Sequence, residues 1–155
     1  MKRLKKVLLA AMALVMAMGV TACGEETFTV NASDAALKLR DGLVFQGELV
    51  EVDANALKNL YGLTSEDVAD YKAYAGTMGT AEEIAVFVAQ DGKVDTVKQA
   101  VETRVQDQKS AYQDYRPEEM TKLNSAIVRE KGNVVVLVVA DETEKANTLV
   151  DEILK

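Results

Sequence analysis

The chain of 155 residues has no histidine, no tryptophan, one cysteine and one proline. Without histidine it lacks both the most common general base and the most common zinc ligand. This excludes Ser–His–Asp and Cys–His catalysis and every histidine-based metal site. A mechanism that uses carboxylates alone remains open, because there are 25 acidic residues. They are spread along the chain, as is typical of solvated helix faces.

The single cysteine, Cys23, follows an apolar stretch close to the N-terminus. That stretch covers residues 7–18, and the residues before it include four that are basic and none that is acidic. This charge pattern and this length are typical of a secretory signal peptide. A membrane-spanning helix would need roughly 20 apolar residues.

Val20, Thr21, Ala22 and Cys23 resemble the bacterial lipobox, in which an aliphatic residue and two small residues precede an invariant cysteine. The resemblance implies that signal peptidase recognises the first three residues, that cleavage falls between Ala22 and Cys23, and that the Cys23 sulfur carries a diacylglyceryl group. Two acyl chains anchor a protein stably where one is marginal. We therefore expect a lipoprotein on the extracytoplasmic face of the cell membrane. The alternatives are an ordinary secretory signal with an accidental cysteine, or an uncleaved N-terminal anchor.

These features predict a cleaved signal peptide at residues 1–22, a lipidated cysteine and tether at residues 23–32, and one domain at residues 33–155. Loss of residues 1–22 removes four of the 18 basic residues and none of the 25 acidic ones, so the formal net charge changes from −7 to −11. Such an acidic domain is repelled by nucleic acid and by anionic lipid, which excludes nucleic acid as a partner. With the only thiol acylated, no disulfide or thiolate metal site is possible, and we expect no cofactor.

The apolar pattern predicts an α+β domain. Residues 70–77 pair with 84–89, and residues 124–129 pair with 133–140, each pair being followed by a helix. A strand–strand–helix unit therefore occurs twice, and the shared pattern is too short to show a duplication. We expect an antiparallel sheet of about four strands (two β-hairpins), with helices packed on one face. The second strand of each pair is apolar on both faces and belongs in the centre of the sheet.

Other elements complete the predicted order. They are a helix from a cap at Ser33 to Asp41, a weak strand over residues 44–52, a helix capped by Asp53 and ended by Gly62, a long helix over residues 93–114, and a final helix capped by Asp141 with a capping box at Glu144.

A set of dispersed residues has the pattern of one known family. It comprises "YGL" at residues 61–63, "AEEIAVF" at residues 81–87, Arg104, Gln108, Tyr112, Tyr115, Pro117, Leu123, Ala126 and Gly132. On these residues the chain resembles, over residues 57–140, the lipoproteins of Gram-positive anaerobes known as domain of unknown function 4358. The resemblance implies a membrane-anchored extracytoplasmic protein and adds no activity, ligand or catalytic residue.

Arg104, Gln108, Tyr112 and Tyr115 follow one another along the long helix at intervals of about one turn. Their chemistry suits a pocket for a small polar ligand, in which the guanidinium binds an anionic group, the amide orients it and the phenols stack on it. The alternative is structural: Arg104 pairs with an acid at the edge of the core, and the tyrosines keep their hydroxyls at the rim. The sequence favours the structural alternative, because such stripes usually belong to the core.

Two acidic pairs, Glu82-Glu83 and Glu118-Glu119, contain the oxygen ligands that calcium prefers. Neither pair has the spacing of a calcium loop, and acids are favoured in the first turn of helices. We therefore expect solvated helix caps and no metal site.

Three classes of function remain. The preferred one is a non-catalytic binding or interaction module at the outer face of the cytoplasmic membrane, with the membrane (through Cys23) and another envelope protein as partners. The alternatives are a small-ligand receptor and, with the least support, a carboxylate-dependent hydrolase. An apolar patch or an uncovered sheet edge favours the first class, a concave polar pocket around Arg104 the second, and paired buried acids the third.

Overall fold

The computed structural model describes residues 28–77 and 79–155, so the predicted signal peptide, Cys23 and residues 24–27 of the tether lie outside it. Within the described residues the chain forms five α-helices, one 3-10 turn and five strands. In chain order these are α1 (Ala32–Gly42), β1 (Leu49–Glu51), α2 (Ala54–Tyr61), β2 (Val68–Gly76), β3 (Glu83–Ala89), α3 (Val94–Tyr115), the 3-10 turn (Pro117–Glu119), α4 (Met120–Asn124), β4 (Ile127–Lys131), β5 (Val134–Val139) and α5 (Thr143–Ile153). None of the described helices combines the length and the apolarity needed to cross a membrane.

The strands form one antiparallel sheet in the order β1-β2-β3-β5-β4. Strands β2 and β3 form one hairpin, and β4 and β5 form the other. The hairpins meet where β3 pairs with β5, with Glu83 opposite Val139 and Val88 opposite Val134. The predicted α+β class, the antiparallel sheet and the central position of the two apolar strands are confirmed.

Helices cover both faces of this sheet, so the expectation that they pack on one face is wrong. On one face, Val97 of α3 packs with Phe87 of β3, together with α2 and α4. On the other face, Leu39 of α1 and Val150 of α5 pack with Val86 of β3. Successive residues of a strand point to opposite faces. Two central strands that are apolar throughout therefore require a helical layer on each side.

The strand–strand–helix order occurs twice, as β2–β3–α3 and as β4–β5–α5. A two-fold rotation about the normal to the sheet would exchange the two hairpins and leave both helices on the same face. Instead, α3 and α5 lie on opposite faces. The two units are therefore not related by the rotation that exchanges their strands.

The predicted ends of α2 are confirmed. The carboxylate of Asp53 accepts a hydrogen bond from the Ala56 backbone N–H at 2.8 Å, which satisfies one of the free donors of the first turn. Gly62 ends the helix with a φ of 68°, in the left-handed region that a residue with no Cβ adopts without strain.

Two predicted caps are wrong. Asn31, and not Ser33, caps α1, because its side chain accepts from the Asp34 backbone N–H at 2.9 Å. Helix α5 begins after Glu142 with no side-chain cap. The carboxylate of Asp141 instead accepts a hydrogen bond from the Gln46 side chain at 2.7 Å. The weak strand expected over residues 44–52 is reduced to β1.

Candidate functional site

Two adjacent carboxylates, Glu82 and Glu83, are fully buried at the start of β3. The prediction that these acids are solvated caps is wrong for both, and it is also wrong for Glu119, which is 3% exposed. Only Glu118 of the four is exposed to solvent. Because an unpaired buried carboxylate is very costly, each must have charged or hydrogen-bonding partners.

Glu83 is held by side chains from the two helices above it. Arg104 of α3 donates from Nε and Nη2 to Glu83 Oε2, at 3.1 and 2.9 Å. The Tyr61 hydroxyl, at the end of α2, donates to Glu83 Oε1. Burial lowers the pKa of Arg104, but the charge and hydrogen bonds of Glu83 raise it by more. Arg104 thus neutralises Glu83 at the edge of the core, which is the structural role that the sequence favoured for it.

Tyr61 shares this environment. Burial raises its pKa well above the ordinary value, and the nearby charge of Glu83 and the hydrogen bond to it raise the pKa further. The hydroxyl therefore remains a donor, and its ring packs edge-on against Phe87 at 5.1 Å between centroids.

Glu82 is held mainly by backbone groups. The N–H groups of Gln46 and Gly47, in the segment between α1 and β1, each donate to its carboxylate at 2.9 Å. Lys122 of α4 lies 3.2 Å from Glu82 Oε1. The carboxylate thereby fixes a segment that has no regular hydrogen bonding of its own.

Lys122 also contacts a second buried acid. Its Nζ lies 3.1 Å from Glu119, and the Glu119 carboxylate accepts the Ala81 backbone N–H at 2.8 Å. Burial lowers the pKa of Lys122, but its hydrogen bonds to Glu119 and Glu82 and their charges raise it by more. One ammonium thus serves two buried carboxylates, and backbone N–H groups supply the remaining stabilisation.

A groove of about 320 Å³ opens beside Arg104, between the second half of α3 and the connection from β2 to β3. Arg104, Gln108 and Tyr112 face it together because residues four apart lie on one side of a helix. Its lining consists of Gly76, Thr80, Arg104, Asp107, Gln108, Ala111 and Tyr112.

Two buried polar atoms that belong to lining residues have no hydrogen-bond partner among the described residues. They are Oγ1 of Thr80 and Oε1 of Gln108. The Gln108 amide donates through Nε2 to the Ala81 carbonyl at 3.4 Å, so Oε1 is directed elsewhere. A buried acceptor without a donor costs about 1–3 kcal/mol. A specific feature of this site is therefore that each wall of the groove includes a residue with an unsatisfied buried atom.

The structure brings together three of the four candidate residues. Arg104, Gln108 and Tyr112 line the groove, and the Tyr112 hydroxyl donates to the Thr80 carbonyl at 2.7 Å. Tyr115 does not line it and is 76% exposed. Sequence reasoning missed Thr80 and Gly76. It also missed the burial of Glu82 and Glu83, for which the available signal was an acidic pair directly before an apolar strand, since acids at such a position need partners.

A second groove, of about 650 Å³, lies between α3 and the edge strand β4. Half of its lining residues are exposed polar residues of α3, such as Gln99 and Glu102. Neither of the two unsatisfied buried atoms lies in it. Across the described residues, no group of three or more acidic, cysteine or histidine side chains is placed to hold a metal ion.

Residues 43–140 match the family described as domain of unknown function (DUF4358). No curated protein and no solved structure matches the chain. The matched residues include all three buried carboxylates, their cations and the whole groove. The match covers more than half of the chain and bears out the resemblance carried by its dispersed residues. The chain therefore belongs to the family known as domain of unknown function 4358.

Proposed function

We propose that this protein is an extracytoplasmic lipoprotein, anchored through Cys23, which acts as a non-catalytic binding module with the Arg104–Gln108 groove as its ligand site. The anchor is supported by the signal-like N-terminus and the lipobox-like residues 20–23. The binding role is supported by one observation: two residues that line the same groove, Thr80 and Gln108, each carry a buried polar atom without a partner.

The groups in the groove define the chemistry of its ligand. Gln108 Oε1 can only accept, so the ligand must donate an N–H or O–H, while the Thr80 hydroxyl can donate or accept. The charge of Arg104 is already offset by Glu83, and Asp107 adds a negative charge to the lining. An uncharged ligand of the amide or alcohol type therefore fits better than the anionic group expected from the sequence.

The buried acids support a non-catalytic role. A pair of catalytic carboxylates must converge on a substrate. Glu82 and Glu83 are both 0% exposed, and each is occupied by its own partners, Lys122 and backbone N–H groups for one and Arg104 with Tyr61 for the other. A hydrolase that uses this pair would have to break two buried ion pairs first.

Another envelope protein is the alternative partner. The large hydrophobic residues that are exposed in the described part of the chain are three: Val44 and Val50, six residues apart in and before β1, and Tyr115 at the end of α3. Large exposed apolar patches are the usual mark of protein interfaces. Three apolar residues support a protein interface less strongly than the polar groups of the groove support a site for a small polar ligand.

The anchor is tested by mass spectrometry of the native membrane protein. We expect two or three acyl chains on Cys23 and none in a Cys23→Ala variant, which should also leave the membrane fraction. An unmodified Cys23 in the wild-type protein would overturn the anchor and leave the groove untouched.

The groove is tested by NMR of the full chain in detergent, with N-acetylglycinamide as the uncharged probe and N-acetylglycine as its anionic counterpart. We expect the amide to shift the signals of Thr80 and Gln108 and the acid to shift them less. Ala111→Phe should block the groove from its exposed side, and Gln113→Phe, exposed on the same helix but outside the lining, is the matched control. Equal shifts in both variants would contradict the assignment.

A further inference from the structure

The length of chain between the proposed anchor and the domain is short. Four residues lie between Cys23 and Phe28, the first residue that the structure describes. A fully extended chain spans at most about 3.3–3.6 Å per residue, so over the five steps from Cys23 the Phe28 Cα lies within about 18 Å of the Cys23 Cα. The surface around Phe28 must therefore lie close to the membrane if Cys23 is acylated.

Phe28 packs against the turn between β4 and β5. The Lys131 ammonium lies 4.5 Å from the centre of its ring, and Gly132 approaches so closely that a Cβ added there would be 3.2 Å from the Phe28 Cβ. Lys131 also donates to the backbone carbonyls of Leu154 and Lys155, so the last residues of the chain lie at the same end.

The end of β3 belongs to this same end of the molecule. The Ala89 backbone N–H donates to the Asn133 carbonyl at 2.8 Å, which places the connection from β3 to α3 beside the β4–β5 turn. The surface formed by residues 90–93, residues 131–133 and Phe28 is here called the tether end. Helix α3 begins at Val94, next to it.

The groove lies at the opposite end. Helix α3 has 22 residues, which at 1.5 Å per residue makes it about 33 Å long. Gln108 and Tyr112 lie 14 and 18 residues beyond its start, and hence about 21 and 27 Å along its axis. Thr80 and Ala81 are at that end too, before β3 begins at Glu83.

We infer that the domain stands on the membrane with its tether end against the lipid surface and its groove directed away from the bilayer. This orientation rests on the proposed anchor at Cys23. It follows from the length of the tether and not from charge, because a domain with a formal net charge of −11 is not attracted to anionic lipid. The groove is thereby presented to molecules that approach from outside the cell.

Energy transfer from the protein to labelled lipid tests the orientation. The lipidated full chain is reconstituted in phosphatidylcholine vesicles that carry an acceptor-labelled lipid. Because Cys23 is acylated, a cysteine introduced elsewhere is the only free thiol. Asp91→Cys labels the tether end and Glu118→Cys labels the groove end, and both positions are exposed. We expect at least about twofold more efficient transfer from position 91, since the ends of α3 are about 33 Å apart.

A lengthened tether is the matched control. An insertion of about ten Gly/Ser residues after Glu26 gives the domain the freedom of a flexible linker, and the difference between the two labels should then disappear. Equal transfer from both positions in the unmodified tether, with the protein floating with the vesicles, would overturn the orientation alone. Failure to float with the vesicles, with Cys23 open to maleimide, would overturn the anchor and the orientation together.

Discussion

Glu82 and Glu83 are neighbours in sequence and equally buried, but they stabilise different parts of the molecule. The partners of Glu83 are side chains, Arg104 and Tyr61, which join α3 and α2 to the sheet. Those of Glu82 include two backbone N–H groups, of Gln46 and Gly47, in a segment without regular structure. One carboxylate therefore positions helices, and the other defines the path of a loop.

Their cations differ as well. Arg104 serves one carboxylate, and its side chain is 18% exposed, so water reaches part of the guanidinium. Lys122 serves two buried carboxylates, lies 3.8 Å from the exposed Asp141, and is only 3% exposed. Because the cost of an uncompensated charge increases with burial, the two ion pairs should respond to substitution to different extents.

The largest expected effect is that of Lys122→Met. It leaves Glu82 and Glu119 buried without a cation, and removal of one member of a buried ion pair costs about 3–5 kcal/mol. With two acids affected, we expect a loss at the upper end of that range in the free energy of unfolding, measured by urea denaturation. Adding Glu82→Gln and Glu119→Gln should recover part of the loss. A loss below about 1 kcal/mol would show that the carboxylates need no cation.

Arg104→Met should cost less, about 3 kcal/mol, at the lower end of the same range. It leaves one buried acid, and not two, without a cation, and the Tyr61 hydroxyl still donates to Glu83. Lys109→Met, on the same helix and forming no ion pair with any described residue, is the control and should change stability by less than about 0.5 kcal/mol. If Arg104→Met were as costly as Lys122→Met, the proposed difference between the two sites would be wrong.

Much of the fold follows from local patterns in the sequence. The runs of apolar residues in β3 and β5 predict central strands, and Asp53 and Gly62 define α2, because these signals depend on near neighbours only. The helical layers were not predicted correctly. Alternation shows that both faces of a strand are buried, but it does not show which helix covers which face.

The candidate site was predicted only in part, again because local patterns are visible in the sequence and long-range contacts are not. Arg104, Gln108 and Tyr112 share one face of a helix, which the sequence reveals. Tyr115 continues the same stripe but is exposed, because the helix extends beyond the sheet that would bury it. Thr80 and the burial of Glu82 depend on long-range partners such as Gly47 and Lys122, which the order of residues does not disclose.

A smaller effect separates the two carboxylates directly. In the wild-type protein the backbone amides of Gln46 and Gly47 should exchange slowly with solvent, although they lie in a loop, because Glu82 accepts from both. Glu82→Gln weakens these charge-assisted bonds, each worth about 1.5–3 kcal/mol, and should speed their exchange by about tenfold or more. Glu83→Gln is the matched control and should leave these two amides unchanged relative to the rest of the loop. Equal acceleration by both substitutions would mean that the loop depends on overall stability alone.

The smallest effect is expected on changing the pH between 6 and 9. The chain has no histidine, and the raised pKa values of Tyr61 and Lys122 belong to groups whose ordinary values are 10.0 and 10.5. A group whose pKa is raised by folding contributes stability below its ordinary value, and this contribution is lost as the pH rises through the folded value. The free energy of unfolding should therefore be nearly constant from pH 6 to 9 and fall above about pH 10.

Tyr61→Phe should make that alkaline fall shallower, with stability at pH 7 reduced by about 1–2 kcal/mol for the lost hydrogen bond. A fall that begins below pH 9 would contradict the expected pH range. A fall that Tyr61→Phe leaves unchanged would show that the buried phenol at Glu83 does not contribute to it.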